Sequence, residues 1–228
     1  MRVKELVAAT AVAVVMAGGA AASTIKVDYQ GNTAHGSYGK ATVTLTAPGK
    51  LPVANPVSAG AFALNADSLG DFAAWCLDLA TTMTPGKNYT VTDSPFSGNS
   101  LSEKVIGNIQ KLFNTAYAAL DLNENAESAG FQLALWELVY ETGNKFDVSK
   151  GKFKASGDTA AVNFANGLLK GLDGDATQNY EMTFLQSKHS QNLVTANVAP
   201  IPLPAAGFLM LGALGGLGLA ARKRRKTA

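Results

Sequence analysis

Residues 101–120, LSEKVIGNIQKLFNTAYAAL, mark the point where the hydrophobic period of the chain changes. Their apolar residues recur at spacings of three and four, which is typical of an amphipathic helix, and Ser100 or Ser102 is placed to cap it. Two more helices are predicted downstream, a largely buried one over residues 127–141 after a cap at Asn125, and one that Asp158 caps. The helical part therefore covers about residues 100–172.

Strand-like segments lie on both sides of this helical part. Alternating or β-branched residues predict strands over 23–29, 41–47, 72–79, 89–92, 180–185 and 193–198. Residues 51–57 contain two prolines and read as an edge strand or a loop. The order predicts an α+β fold, a β-sandwich or barrel over residues 23–198 with an inserted subdomain of about three helices.

The first 22 residues have the pattern of a secretory signal peptide. Arg2 and Lys4 precede an apolar run over residues 6–17, and Ala20 and Ala22 supply an A-x-A cleavage pattern. The apolar run is too short for a stable membrane span. We therefore expect the protein to be exported through the inner membrane.

The other end of the chain has the features of a membrane anchor. Residues 201–221 carry no charge, and residues 205–221 are predicted to be transmembrane. A basic tail follows over residues 222–226, and the positive-inside rule keeps such a tail in the cytoplasm. This tail consists of Arg222, Lys223, Arg224, Arg225 and Lys226.

Residues 199–228 also resemble a known sorting signal. Pro202, Leu203, Pro204 and Ala205, then an apolar run and a basic end, resemble the VPLPA variant of the PEP-CTERM signals, with Ile201 in place of the usual valine. The resemblance implies a Gram-negative surface or extracellular-matrix protein that stays tethered to the membrane until processing. It also implies that an exosortase-type transpeptidase in the inner membrane recognises and cuts this end.

The charge of the middle differs from that of the whole chain. Seven of the 19 basic residues and one of the 17 acidic residues lie in the two ends, which leaves twelve and sixteen for residues 23–200. All twelve basic residues there are lysines. A mildly acidic middle has no basic stripe for nucleic acid, so no nucleic-acid partner is expected.

Cys76 is the only cysteine of the chain, so it has no cysteine to pair with inside the chain. Gln132 is a polar residue within a very apolar helix and needs a hydrogen-bond partner if it is buried. A strand backbone would satisfy its amide, which is the simplest role that the residues alone suggest.

Two short motifs resemble the paired signatures of bacterial thioester domains. They are Trp75-Cys76-Leu77-Asp78 and, some fifty residues later, Phe131-Gln132-Leu133-Ala134-Leu135-Trp136. The resemblance implies a bond between Cys76 Sγ and Gln132 Cδ, formed with loss of ammonia, that captures an amine- or hydroxyl-bearing surface partner once. No turnover is expected, so the chain is not expected to be an enzyme. Trp75 and Trp136 are expected to shield the bond, and Asp78 to orient an incoming amine or to hold structure.

Other readings lead to different chemistry. A cysteine hydrolase would need His35 or His189 as a partner, and no signature of one is present. Residues 121–125 match the opening of a calcium loop, but Ala126 and Gln132 stand where glycine and glutamate are needed. No metal or cofactor is expected. The serious alternative is a non-reactive matrix or envelope scaffold in which Cys76 is a buried free thiol.

Overall fold

The computed structural model describes residues 23–30, 38–49, 55–92, 95–96 and 100–198. The predicted signal peptide, residues 1–22, and the predicted sorting signal, residues 199–228, lie outside the described residues. Within the described ranges, no helix has the length and apolar character needed to cross a membrane.

Nine strands occur in the described residues, and six of them close into a barrel. The strands are β1 (Thr24–Tyr29), β2 (Ala41–Thr46), β3 (Val57–Ala59), β4 (Phe62–Ala66), β5 (Gly70–Cys76), β6 (Lys87–Thr92), β7 (Lys154–Ser156), β8 (Tyr180–Gln186) and β9 (Leu193–Val198). The barrel order is β1-β4-β5-β9-β8-β6, and every neighbouring pair is antiparallel. Of the sandwich and the barrel that the sequence analysis left open, the structure has the barrel. Strand β4 is one that the sequence analysis did not find.

A second, three-stranded sheet has the order β3-β2-β7. In β2, alternate residues are buried and exposed, as the sequence pattern ATVTLT predicts. Strand β7 lies between the second and third helices along the chain and pairs with β2. The inserted part is therefore not purely helical, because it contains β7, which pairs with a strand outside the insertion.

Three α-helices lie between β6 and β8: α1 (Glu103–Ala116), α2 (Asn125–Tyr140) and α3 (Thr159–Lys170). Ser102 Oγ accepts a hydrogen bond from the Val105 N–H at 3.3 Å, and Asp158 Oδ1 accepts one from the Ala161 N–H at 2.8 Å. These two cap predictions are confirmed. The prediction that Asn125 caps α2 is wrong, because its Oδ1 accepts from the backbone N–H of Lys40 instead.

Helix α2 is buried along most of its length, as its all-round apolar sequence predicts. Eleven consecutive residues, 128–138, are buried, and they include the polar side chains of Ser128, Gln132 and Glu137. The barrel, the second sheet and the helices share one hydrophobic core. Because residues 23–198 hold this whole core, we expect them to fold on their own.

Gly130 lies where α2 packs closely against α3. A Cβ atom at this position would lie 2.8 Å from Phe164 Cδ1 and 3.0 Å from the Ala161 carbonyl oxygen. We expect Gly130→Ala to lower the free energy of unfolding by about 1–3 kcal/mol through overpacking. Urea denaturation of residues 23–198 measures this change.

Gly107 in α1 is the matched control for this prediction. A Cβ atom there would have nothing within 4 Å. Gly107→Ala is therefore expected to raise the free energy of unfolding by about 0.5–1 kcal/mol, the ordinary preference of a helix interior for alanine. Equal effects at both positions would contradict the close helix crossing.

Candidate functional site

Closure of the barrel brings the end of β5 against the start of β9. Cys76 is opposite Leu193 in the register, and the Leu77 N–H donates to the Asn192 carbonyl at 2.9 Å. The residues just before β9 therefore lie beside the last residue of β5, although 115 positions separate Cys76 from Gln191 along the chain.

Gln132 lies against the backbone of Cys76. Its Nε2 donates to the Cys76 carbonyl, its Oε1 accepts from the Cys76 N–H, and both distances are 2.9 Å. The side chain is fully buried. The expected geometry is thus corrected: the Gln132 amide is hydrogen-bonded to the backbone of Cys76, whereas the sulfur is hydrogen-bonded to another glutamine.

That second glutamine is Gln191, which the sequence analysis did not single out. The Cys76 thiol donates to Gln191 Oε1, with 2.7 Å between the sulfur and the oxygen. Gln191 Nε2 donates to the Asp78 backbone carbonyl at 2.6 Å. Both side chains are buried. The amide plane of Gln191 is fixed by these two contacts, with its oxygen toward the sulfur and its nitrogen away from it.

The segment that carries Gln191 is held by buried polar groups. The Asp78 carboxylate accepts from the Asn192 N–H at 2.7 Å and from the Thr81 N–H at 3.0 Å. The Tyr89 hydroxyl bonds to Ser190 Oγ at 2.7 Å and donates to the Gln191 carbonyl at 3.1 Å. These hydrogen bonds give Asp78 a structural role, which is one of the two roles expected for it.

The two tryptophans have different surroundings. Trp136 lies in the wall of the cavity beside Cys76, as expected for a shield. Trp75 points to the opposite face of β5 and packs in an aromatic cluster, with ring centroids 5.8 Å from Phe113, 5.2 Å from Tyr117 and 4.8 Å from Phe131. The expectation that Trp75 shields the sulfur directly is therefore wrong, because strand alternation directs its ring away from Cys76.

A cavity of about 420 Å³ adjoins Cys76 and Gln191. Most of its lining is apolar or aromatic, with a few hydroxyl groups. It is lined by Tyr29, Pro56, Val57, Ser58, Phe62, Cys76, Leu79, Thr81, Thr82, Met83, Trp136 and Gln191. Because Cys76 and Gln191 both line this cavity, a group that enters it has access to both residues.

Comparisons with known proteins give similarity to solved structures. No protein-family model matches the sequence, and no curated protein matches it. The chain is similar to the N-terminal domain of the Streptococcus pyogenes pilus tip adhesin Cpa, at 16% identity over 74% of this chain and 97% of that chain, with a TM-score of 0.40.

Two further solved structures are thioester domains by description. One is the N-terminal thioester domain of the fibronectin-binding protein SfbI from Streptococcus pyogenes, at 16% identity over 72% of this chain and 95% of that chain, with a TM-score of 0.42. The other is the N-terminal thioester domain of a Clostridium perfringens surface protein, at 10% identity over 69% and 99%, with a TM-score of 0.37. Because the similarity is this low, it assigns no role to any residue of this chain.

Loss of the proton from the Cys76 thiol is electrostatically unfavourable. Burial raises the pKa of the thiol well above its usual range, and the nearby Asp78 carboxylate raises it further. The Lys40 ammonium opposes both effects. Burial also raises the pKa of Asp78, against the hydrogen bonds that its carboxylate accepts from backbone N–H groups. The sulfur is thus protonated at neutral pH unless it is covalently bound.

The hydrolase and metal readings gain no support at this site. His189 is exposed, and His35 lies outside the described residues. Among the residues that the structure describes, no group of three or more histidine, cysteine or acidic side chains could hold a metal ion.

Glu137 is a second buried titratable group, one position after Trp136 on α2. Its Oε1 accepts from the Asp147 N–H at 2.8 Å, and its Oε2 has no hydrogen-bond partner within the described part of the chain. Burial raises the pKa of Glu137 from 4.5 to about 7, and the charges of Glu141 and Asp147 add to this.

The pH dependence of stability follows from this shift. Between the unfolded and folded pKa values of Glu137, the folded protein binds more protons than the unfolded one. We therefore expect the free energy of unfolding to fall by about 2–3 kcal/mol as pH rises from about 5 to 8. Asp147, with a pKa of about 2, stays ionised in this window and adds no slope. Urea denaturation should show the slope in the wild type and a smaller slope in Glu137→Gln, where the raised pKa of Asp78 still contributes.

Proposed function

We propose that Cys76 and Gln191 form an internal thioester that attaches this exported protein covalently to a surface partner. The observation that carries the proposal is the 2.7 Å between Cys76 Sγ and Gln191 Oε1. This separation is shorter than an ordinary hydrogen bond between a thiol and an oxygen. It is close to the separation of the two atoms when both are attached to one acyl carbon.

The bond would form by attack of the Cys76 sulfur on Gln191 Cδ. The C–N bond of the amide breaks, the thiol proton passes to the nitrogen, and ammonia leaves. The Asp78 carbonyl accepts a hydrogen bond from that nitrogen at 2.6 Å, which orients the leaving group away from the sulfur. Fixing both groups in one buried geometry converts a difficult reaction into an intramolecular one.

Gln132 would position Cys76, the residue whose sulfur attacks. Its two hydrogen bonds hold the backbone of Cys76 on both sides, so the direction of the Cα–Cβ bond is fixed. With Gln191 held by Asp78 and Tyr89, both partners are positioned before they react. In this proposal Gln191 supplies the acyl group, and Gln132 takes the strand-backbone role that its residue type suggests.

The product would be an activated acyl group beside the cavity. An amine or hydroxyl of a partner attacks Gln191 Cδ, the C–S bond breaks, and an amide or ester to the partner forms. The Cys76 thiol is released, so each molecule reacts once and the protein is not a turnover enzyme. An exported protein with this chemistry, sorted by an exosortase-type system, suits adhesion at the cell surface or cross-linking in an extracellular matrix.

The intact mass of residues 23–198 tests the proposal. We expect the wild type to be one ammonia lighter than its sequence, and Cys76→Ala to have the full sequence mass. A lysine–glutamine amide would give the same loss of ammonia, so reaction with methylamine is needed to identify a thioester. Loss of ammonia that persists in Cys76→Ala would contradict the proposal.

A non-reactive scaffold is the second candidate. The observation that favours it is the burial of Cys76, which makes the free thiol a good core residue and keeps it protonated. In that case, the wild type has its full sequence mass, and one thiol per chain is alkylated after unfolding.

A further inference from the structure

Lys40 is placed by a tight backbone contact with the turn that precedes α2. The Gly39 N–H donates to the Leu122 carbonyl at 2.8 Å, and the Lys40 N–H donates to Asn125 Oδ1 at 2.9 Å. A Cβ atom on Gly39 would lie 2.7 Å from the Asn123 carbonyl oxygen. A side chain there would therefore push the start of β2 away from the turn that precedes α2. The backbone of Lys40 is thereby fixed relative to α2.

The side chain of Lys40 packs against a residue that lines the cavity. The Lys40 Cγ would lie 3.0 Å from a Cβ atom on Gly60, so the aliphatic part of the lysine passes Gly60 where a larger residue would crowd it. Its Nζ lies over the ring of Phe62, 5.6 Å from the centroid, in a cation–π contact. Phe62 and Cys76 line the same cavity. The ammonium is therefore held against a ring that lines the same cavity as the sulfur.

Two charged groups act on the sulfur in opposite directions. Asp78, on the same segment, disfavours a negative sulfur, and Lys40 favours it. Among the described residues, the other titratable groups that interact with the sulfur are tyrosines on β1, β6 and α2, namely Tyr29, Tyr89 and Tyr140, and burial raises the pKa of each. They stay neutral near pH 7 and do not offset the carboxylate.

We propose that Lys40 sets the reactivity of the thioester, because its ammonium stabilises the thiolate that leaves when a nucleophile attacks. This inference rests on the proposed function. The attacking amine forms a bond to Gln191 Cδ, the C–S bond breaks with its electron pair on Cys76 Sγ, and the proton lost by the amine nitrogen ends on the sulfur. In a buried site the departing charge has little water to solvate it, so a fixed cation lowers the barrier. Lys40 is a positioning residue that acts through the sulfur.

Thiol pKa and reaction rate test this role separately. In residues 23–198 carrying Gln191→Ala, no Cys76–Gln191 thioester can form, and the pH dependence of alkylation reports the thiol pKa. We expect Lys40→Met to move that midpoint upward, with alkylation below the midpoint slower by up to about tenfold, since one pKa unit is a tenfold change in thiolate. In the thioester-forming protein, Lys40→Met is expected to slow the reaction with methylamine by a similar factor.

Control variants separate charge from packing. Lys40→Arg, which keeps the charge, is expected to restore both readouts, and Lys170→Met, at the exposed end of α3, to leave both unchanged. If Lys40→Met fails to fold, Lys40→Gln, which also removes the charge, provides the same test. An unchanged thiol midpoint in the uncharged variants, or an arginine variant that behaves like them, would overturn the proposal. If the wild type forms no thioester, the proposed function fails, while the thiol midpoint still reports on Lys40.

Discussion

Gln191→Ala is expected to abolish the loss of ammonia completely and to leave Cys76 as a free thiol. The variant removes the amide whose oxygen lies 2.7 Å from the sulfur, but it keeps the two hydrogen bonds between Gln132 and the Cys76 backbone. Intact mass of residues 23–198, with alkylation after unfolding, measures both effects. The variant is expected to have its full sequence mass and to take up one alkyl group per chain.

Gln186→Ala is the matched control, because Gln186 is a half-buried glutamine five residues away on β8. This variant is expected to lose ammonia as the wild type does. The prediction separates the two glutamines near Cys76. If Gln191→Ala still loses one ammonia and shows no free thiol, then the sulfur is bonded elsewhere, and Gln132 returns as the candidate.

Gln132→Leu is expected to lower the free energy of unfolding by about 3–5 kcal/mol. The change removes two hydrogen bonds in a fully buried place and leaves the N–H and the carbonyl of Cys76 without partners. Each unsatisfied buried group costs about 1–3 kcal/mol, so the two together exceed the loss of an ordinary hydrogen bond. Urea denaturation of residues 23–198 gives the difference.

Gln110 on α1 provides the comparison for this effect. Its Nε2 also makes two hydrogen bonds, to Asn114 Oδ1 and to the Tyr180 carbonyl, each at 2.9 Å, but its side chain is only half-buried. Water can replace these bonds, so Gln110→Leu is expected to cost about 1 kcal/mol or less. Similar costs at the two positions would mean that Gln132 does not hold the Cys76 backbone as described.

The sequence predicted the features that local periodicity and capping determine. Helix α1 follows from its spacing of apolar residues, and Ser102 and Asp158 cap helices as their residue types suggest. The all-round apolar character of α2 correctly indicated burial. The buried amide of Gln132 finds a strand backbone, as its residue type suggests. That this backbone is the backbone of Cys76 did not follow from the residue pattern, because only the resemblance to thioester domains linked the two residues.

The sequence could not predict the features that depend on which strands become neighbours. Gln191 lies in the polar stretch SKHSQN, residues 187–192, which reads as an ordinary turn. Only the pairing of β9 with β5 brings it to Cys76, and no local pattern reports that pairing. Asn125 was misread for a similar reason, since its side chain is used by the distant backbone of Lys40.

Methylamine labelling of residues 23–198, followed by peptide mapping, tests the central claim most directly. A Cys76–Gln191 thioester predicts that one methylamine is incorporated, that Gln191 becomes the N-methyl amide, and that the Cys76 thiol is released in equal amount. Incorporation at Gln132 would contradict the assignment of the acyl group. No incorporation, with the full sequence mass and a thiol already free after unfolding, would contradict the covalent mechanism itself.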